Sequence, residues 1–349
     1  DRCDTLIEPL TIEQWWLRVD ELKKHAIQAI TSGEVTFVPA RFKKVALDWL
    51  ENLHDWNISR QNWWGIRVPV YYNSTSDSAK PDYIVGNEQD AIAAYGPEGY
   101  EAETDNFDTW FSSGQWPFAT LKATGEFDNG FFPTSVMETG RDILFLWVTR
   151  MIMFSKFKPG KVRFKTVYLH GLVTDKSGKK MSKSKGNVIN PLEMTAKYGT
   201  DALRLALTIG ITPGNDGAVS EEKIQGYRNF CNKLWNVARF VLSKMPANYS
   251  PTTPQLTTNA DHYMARELTE TNKLVTKAIE DYRFSEAGQA LYSLLWDKFA
   301  DRYIEYSKSN LNPDMLALSL ETILRMLHPI APFVTEALWQ ELPWTDSQI

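Results

Sequence analysis

The chain has 349 residues, of which 43% are hydrophobic and 23% are charged, and its formal net charge at pH 7 is -5. This composition excludes a fibrous or low-complexity chain and fits a globular protein of two or three domains. The acidic balance argues against a general nucleic-acid coat protein, although local basic patches can still contact phosphates.

The two cysteines, Cys3 and Cys231, and the five histidines are scattered without the spacing of metal ligands, so we expect no metal site. Apolar runs such as Ala202–Ile211 are shorter than the roughly 20 residues that span a bilayer. The first residues contain neither a starting Met nor a basic, apolar leader. We therefore expect a cytoplasmic protein without a membrane segment or secretory signal, whose first residue is a cut end.

The first predicted elements belong to an α/β fold. Apolar residues recur at helical spacing over Ile12–Ile30 and Arg41–Leu53, on either side of a strand-like Val35–Val38. A strand over Ile66–Tyr72 then leads into a polar stretch from Asn73 to Asp105, which we interpret as an irregular surface insertion.

A second α/β unit follows this insertion. The sequence predicts a strand near Phe131–Met137, a turn at Gly140, a helix over Asp142–Phe154 and a strand over Thr166–Val173. Strand, helix and strand in this order indicate a parallel crossover.

Beyond Gly186 the pattern is helical almost throughout. Periodic runs cover residues 219–244, 257–281, 284–308 and 313–341, the last with a kink at Pro329 and Pro332. The last third of the chain is therefore predicted to be an α-helical bundle attached to an α/β body.

A lysine-rich segment lies between the last predicted strand and the helix that opens at Pro191. Residues 179–187 read KKMSKSKGN, and four lysines in seven residues require a polyanion or open solvent. An arbitrary lysine run is most often a solvated loop. A phosphate-binding P-loop is excluded by spacing, because Val173 stands where its first Gly would be and no Ser or Thr follows Lys179.

The word KMSKS at 180–184, in order between HGLV at 170–173 and DALR at 201–204, resembles the class I aminoacyl-tRNA synthetases. This resemblance implies the second half of a Rossmann-like nucleotide fold followed by a helical anticodon-binding bundle. It divides the chain into a catalytic part over 1–175 with an insertion at about 73–104, a KMSKS and stem-contact region over 176–222, and the anticodon-binding domain over 223–349.

The resemblance also implies that ATP is a substrate, accompanied by Mg²⁺. When an amino-acid carboxylate attacks the α-phosphorus of ATP, charge builds on the phosphates, and mobile lysines can stabilise it. By resemblance, Lys183 is the main catalytic contact and Lys180 supports it. The neighbouring residues expected to bind ATP are Met181, Ser182 and Ser184.

Two further segments are implied to bind ATP. Gly140 and Asp142 lie at a strand-to-helix turn, where by resemblance the Asp142 carboxylate accepts the ribose hydroxyls; a tight turn with a helix cap is the plainer interpretation. The adenine site would be lined, largely through backbone groups, by His170, Gly171, Leu172 and Val173.

The segment DTWFSS at 108–113 and the helix that carries Trp147 are similar to those of valine-specific members of the family. This similarity implies that Trp110 and Trp147 wall a small pocket for valine, although core packing explains either tryptophan alone equally well. It also makes tRNA(Val) the expected partner, with Lys185, Arg228 and Lys233 as candidate contacts. Single helical lysines are more often simply solvated.

The sequence departs from the family in one respect: it contains no HIGH-type pair of histidines, which in class I synthetases grips the ATP phosphates. We therefore expect this chain to need a missing N-terminal half, or a surrogate for it, before it can form valyl-adenylate. Two alternatives stay open. One is a catalytically silent tRNA-binding module, and the other is an enzyme for isoleucine or leucine.

Overall fold

The computed structural model describes residues 6, 8, 11–76, 82–162, 164–175, 177–179, 181, 188–345 and 349. The chain divides into two compact units, Asp1–Tyr168 and Leu169–Ile349. The division lies within a strand, so the first residues of the second unit continue the last strand of the first.

The first unit combines helices with short strands. Its helices are α1 (Asp20–Thr31), α2 (Arg41–Glu51), α3 (Glu88–Tyr95), α4 (Thr109–Ala123) and α5 (Thr149–Phe157), and a 3-10 turn (Arg141–Ile143) and a π-helical turn (Leu144–Val148) run directly into α5. Its strands are β1 (Trp16–Leu17), β2 (Thr36–Val38), β3 (Trp56–Asn57), β4 (Ser59–Arg60), β5 (Val70–Asn73), β6 (Tyr83–Val85), β7 (Tyr100–Ala102), β8 (Asn106–Phe107), β9 (Thr134–Gly140) and β10 (Phe164–His170).

The main sheet of this unit has the order β2-β10-β9, and β10 runs parallel to β2 with Val167 opposite Phe37. Both of these side chains are buried. Every residue from Thr149 to Ser155 in α5 is also buried, so all of this helix except its last two residues is enclosed on all sides. The predicted α/β architecture is confirmed.

Two sequence predictions for this unit are wrong. The predicted helix over Ile12–Ile30 begins only at Asp20, because Trp16–Leu17 instead pairs antiparallel with Trp56–Asn57. The insertion at Asn73–Asp105 is not irregular: β5 pairs antiparallel with both β6 and β7, and α3 closes this small sheet. Its strands are only three or four residues long, too short to give a clear alternating pattern.

The second unit is mainly helical. It contains α6 (Pro191–Tyr198), α7 (Thr200–Thr208), α8 (Glu221–Lys244), α9 (Asn259–Glu280), α10 (Phe284–Ser293), a π-helical segment (Leu294–Ile304), α11 (Glu305–Ser307), α12 (Pro313–Leu327) and α13 (Pro332–Gln340). A short parallel pair joins β11 (Val173–Thr174) to β12 (Gly217–Ala218).

Most of these helices contribute to one large core that includes fully buried Leu234, Phe299 and Leu320. A smaller cluster around Ala206 and Ile224 packs α6, α7 and the start of α8 together. The helical array was predicted correctly except at its end, where the expected kinked helix over 313–341 is two helices, α12 and α13. Pro332 is the first residue of α13, the position at which a missing backbone N–H costs least.

Candidate functional site

The N-terminus of α4 in the first unit is organised by a buried carboxylate. Asp108 is only 6% exposed and caps the helix by accepting the backbone N–H of Trp110 at 2.9 Å. The same carboxylate accepts hydrogen bonds from Trp56 Nε1 at 3.2 Å and from Arg60 at 2.5 Å. Three donors from three different elements therefore fix this carboxylate in place.

A second cation lies beside this cluster. Arg150, on α5, is 8% exposed, and its guanidinium carbon lies 3.7 Å from the centre of the Trp56 ring. Burial lowers the pKa of Arg150 to about 10, although the nearby charge of Asp108 acts in the opposite direction. Trp56 is thus held between Arg150, through its ring face, and Asp108, through its indole N–H.

These groups surround a cavity of about 580 Å³, within the ~300–1,000 Å³ range of small-molecule sites. Its lining residues are Leu53, His54, Asp55, Trp56, Asn57, Arg60, Asp108, Trp110, Leu146 and Arg150. Aromatic and aliphatic side chains form part of the wall, and charged groups form the rest. The cavity can therefore hold a small ligand that has both an apolar part and a charged part.

The structure places the two predicted tryptophans differently: Trp110 belongs to α4, whereas Trp147 contacts α4 from outside. Trp110 lines the cavity. Trp147 is half-buried and is not among the described residues that line it; its indole N–H donates to the Ser113 carbonyl at 3.1 Å. In a regular helix that carbonyl would accept from residue 117, which is Pro117 and has no N–H. Trp147 thus satisfies a carbonyl that the helix itself leaves unpaired.

Gly140 and Asp142 lie where the sequence predicted a strand-to-helix turn. Gly140 ends β9 and is buried, and Asp142 follows in the 3-10 turn with an exposed side chain. The position suits a ligand that approaches the start of a helical segment. Their role as ribose contacts stays a prediction.

The segment from His170 to Val173 in the second unit is held through its backbone. The Leu169 carbonyl accepts from Gly214 N at 2.7 Å, and Leu172 N donates to Asp216 Oδ1 at 2.7 Å. A side chain on Gly171 would collide with the Asn215 carbonyl. Glycine is therefore required here by close packing of two backbone segments. The role of this segment in lining the adenine site stays a prediction.

The lysine-rich segment is described only in part. Lys180, Ser182, Lys183, Ser184 and Lys185 lie outside the described residues, and Met181 is half-buried. The turn before them is described: Asp175 N donates to the Lys179 carbonyl at 3.0 Å, and Gly178 has φ +76°.

The two other predicted tRNA contacts have partners within the second unit. Arg228 donates to the Lys197 carbonyl. Lys233 pairs with Asp301 at 2.9 Å and lies 5.1 Å from the centre of the Trp296 ring. Neither geometry tests a tRNA contact, because surface ion pairs of this kind are weak and readily exchanged.

Sequence reasoning missed the roles of Arg60, Asp108 and Arg150. Arg60 and Asp108 are 48 residues apart in the chain, and nothing local connects them. Arg150 carried a usable signal, because it interrupts an otherwise apolar helical run over 143–154. A charged residue in a run of that kind is rarely buried unless it is paired.

Among the described residues, no group of three or more His, Cys, Asp or Glu side chains could hold a metal ion. No described helix is both long and apolar enough to cross a membrane.

Comparison with known proteins identifies two family models. Residues 7–220 match tRNA synthetases class I (I, L, M and V), and residues 261–349 match the anticodon-binding domain of tRNA ligase. The valine–tRNA ligases of Symbiobacterium thermophilum and Dehalococcoides mccartyi strain CBDB1 are each 42% identical, over 100% and 98% of this chain. The matched region covers 39% of each relative, so this chain spans about two fifths of their length.

Two solved structures share the fold. Mycobacterium tuberculosis methionyl-tRNA synthetase in complex with methionyl-adenylate is 17% identical, with a TM-score of 0.72 over 95% of this chain and 63% of that one. The ternary complex of Agrobacterium radiobacter K84 LeuRS with tRNA and LeuAMS is 20% identical, with a TM-score of 0.69 over 84% of this chain and 41% of that one.

Proposed function

The chain belongs to the class I tRNA synthetases of the I, L, M and V group, and from this premise we propose that it carries the amino-acid-selecting and tRNA-binding parts of a valine–tRNA ligase. The reaction is the ATP-dependent activation of valine to valyl-adenylate, followed by transfer to tRNA(Val). Mg²⁺ enters with ATP as the substrate complex, and the cytoplasm is the proposed location.

The observation that carries this proposal is the cavity at the N-terminus of α4. Trp110 lines it beside the Asp108, Arg60 and Arg150 cluster, so an apolar wall adjoins fixed charges. A zwitterionic amino acid with a small aliphatic side chain has this combination of groups. Because Asp108 fixes the backbone of Trp110, it acts as a positioning residue for the wall of the pocket.

The ATP contacts follow from the motifs. We assign the ribose to Gly140 and Asp142, the adenine to the backbone of His170–Val173, and the phosphates to Lys180 and Lys183. Catalysis then consists of positioning and charge stabilisation, without a covalent enzyme intermediate.

Activity is proposed to need the remaining regions of a full-length ligase, because this chain spans only about two fifths of its relatives. The test compares two proteins: the chain alone, and a chimera in which it replaces the matching region of the Symbiobacterium thermophilum ligase. The assay is ATP–pyrophosphate exchange driven by valine, with isoleucine and threonine as controls.

We expect valine-dependent exchange in the chimera and none in the chain alone. A folded chimera that binds tRNA without exchange would support a silent tRNA-binding module instead. Exchange that prefers isoleucine would assign the cavity to another amino acid.

A further inference from the structure

The second unit contains a cavity that none of these roles uses. It has a volume of about 380 Å³ and is lined by Ile209, Gly210, Lys223, Tyr227, Gln289 and Tyr292. It lies beside the N-terminal turn of α8 and beside Ile209 and Gly210, the two residues that follow α7. None of the described lining residues is acidic. We call it the Lys223 cavity.

Lys223 brings a positive charge to the wall of this cavity. Within the described part of the chain its ammonium group forms neither an ion pair nor a hydrogen bond, and burial lowers its pKa. Glu221, which lies two residues away, is bound instead by Lys197 and Tyr198. A half-buried cation without a counter-charge is costly to the folded state.

The position of Lys223 in its helix adds to this cost. It is the third residue of α8, and its own backbone N–H is bound by the cap Ser220 at 3.2 Å. A positive charge in the first turn opposes the helix dipole, which favours anions at that end. Neither folding nor local electrostatics therefore accounts for a lysine at this place, whereas binding of an anion would.

The rest of the cavity suits a nucleotide unit. Tyr227 and Tyr292 lie edge to face, 6.4 Å apart, and Tyr292 stacks on both Phe230 at 4.9 Å and Trp296 at 5.6 Å, which fix its ring as part of the wall. The Gln289 side-chain amide has no partner within the described part of the chain and offers a further donor. Aromatic faces next to a cation are the usual surroundings of a nucleic-acid backbone with its sugar or base.

We propose that the Lys223 cavity binds one backbone phosphate of tRNA, with Tyr227 packing on the adjoining sugar or base. This inference rests on the proposed function, which supplies tRNA as the ligand. It adds a contact to the candidates Arg228 and Lys233, which differ from Lys223 in having partners within the protein.

The test measures binding of a tRNA(Val) transcript to this chain from 50 to 300 mM KCl. We expect Lys223→Met to weaken binding roughly tenfold and to reduce the slope of log K against log salt by about 0.9, the value for one phosphate contact. Lys223→Arg should keep the slope. The matched control is Lys244→Met, at the other end of the same helix, where both quantities should stay unchanged.

Thermal unfolding separates binding from folding. We expect the melting temperature of Lys223→Met to equal or exceed that of the wild type, because an unpaired cation is removed. Acetylation mapped by mass spectrometry gives a second readout: tRNA should protect Lys223 but not Lys244.

An unchanged salt slope for Lys223→Met, or protection of Lys223 by ATP but not by tRNA, would overturn the proposal. A wild-type chain that does not bind tRNA would overturn it as well. Pyrophosphate exchange needs no tRNA. It therefore tests the proposed amino-acid activation independently of the Lys223 cavity.

Discussion

Asp108 in the first unit and Asp261 in the second are both buried carboxylates at a helix N-terminus, and they have different partners. Asp108 is 6% exposed and Asp261 is 1% exposed. Asp108 binds Arg60 and Trp56 beside a cavity, whereas Asp261 accepts hydrogen bonds from Tyr303 at 2.6 Å and from Thr258 at 2.9 Å in the helical core.

The difference shows how similar local chemistry serves two purposes. Asp261 completes a capping box of α9 and ties two helices together, so its hydrogen bonds stabilise the fold. Asp108 also caps a helix, but its other contacts fix the wall of a cavity. Substitution at Asp108 should therefore change catalysis, and substitution at Asp261 should change only stability.

The largest effect is expected for Asp108→Asn. Asparagine keeps an acceptor for the N–H of Trp110 but removes the charge that binds Arg60 and balances Arg150. We expect kcat/KM for valine in the exchange reaction of the chimera to fall roughly 100-fold through misplacement of the cavity wall. Unfolding in urea should show a loss of about 2 kcal/mol, less than for a fully buried pair because Arg60 is 42% exposed. Unchanged kinetics would show that Asp108 does not position the wall of the amino-acid cavity.

The next effect is expected for Gly171→Ala. The added methyl group would collide with the Asn215 carbonyl and displace the segment assigned to adenine. KM for ATP in the chimera should rise about tenfold, because overpacking displaces a backbone segment from a well-packed contact. KM for valine should stay constant. Gly226→Ala is the control, since a Cβ there meets nothing within 4 Å. An equal rise in both KM values would contradict the assignment.

Asp261→Asn tests the carboxylate that we expect to affect stability but not catalysis. Burial acts to raise the pKa of Asp261, but hydrogen bonds from Tyr303 and Thr258 outweigh it, and the net pKa is lowered. A lowered folded-state pKa means that this stabilisation is present above the unfolded pKa and is lost as the pH falls through the folded pKa.

We therefore expect Asp261→Asn to lower the free energy of unfolding by about 1–2 kcal/mol at pH 7 and to flatten its decline below about pH 4. Urea unfolding from pH 2 to pH 7 measures both effects. Exchange kinetics at 25 °C should equal those of the wild type. A loss of valine activation in this variant would mean that the two carboxylates do not differ as described.

The smallest effect is expected for Trp147→Phe. Phenylalanine retains the ring but cannot donate to the Ser113 carbonyl, which Pro117 leaves unpaired. We expect a loss of about 1 kcal/mol in stability and a rise of roughly threefold in KM for valine. A rise of 100-fold or more would show that Trp147 contacts the amino acid directly.

Local patterns in the sequence predict those elements that depend on local periodicity. The helical runs over 219–244 and 257–281 correspond closely to α8 and α9, because caps at Ser220 and Thr258 and an apolar stripe define each helix. The strand at Trp16–Leu17 could not be predicted in this way. Its two residues are strand only because they pair with Trp56–Asn57, about 40 positions away.

The candidate site residues also divide into those that local motifs predict and those that depend on distant segments of the chain. Trp110 and Gly171 are predicted from two short motifs, residues 108–113 and 170–173, each of which is contiguous in the chain. The Arg60–Asp108 pair and the Lys223 cavity depend on contacts between distant segments. Lys223 itself sits in the charged run Glu221-Glu222-Lys223, which predicts only a solvated helix start.

The most direct test of the central claim is amino-acid discrimination by Trp110→Ala in the chimera. Enlarging a small aliphatic pocket should admit an extra methylene, which is worth roughly 10- to 200-fold in a well-fitted site. We predict that the ratio of kcat/KM for valine to kcat/KM for isoleucine falls at least tenfold. An equal loss for both amino acids, or an unchanged ratio, would contradict the assignment of this cavity to the side chain of valine.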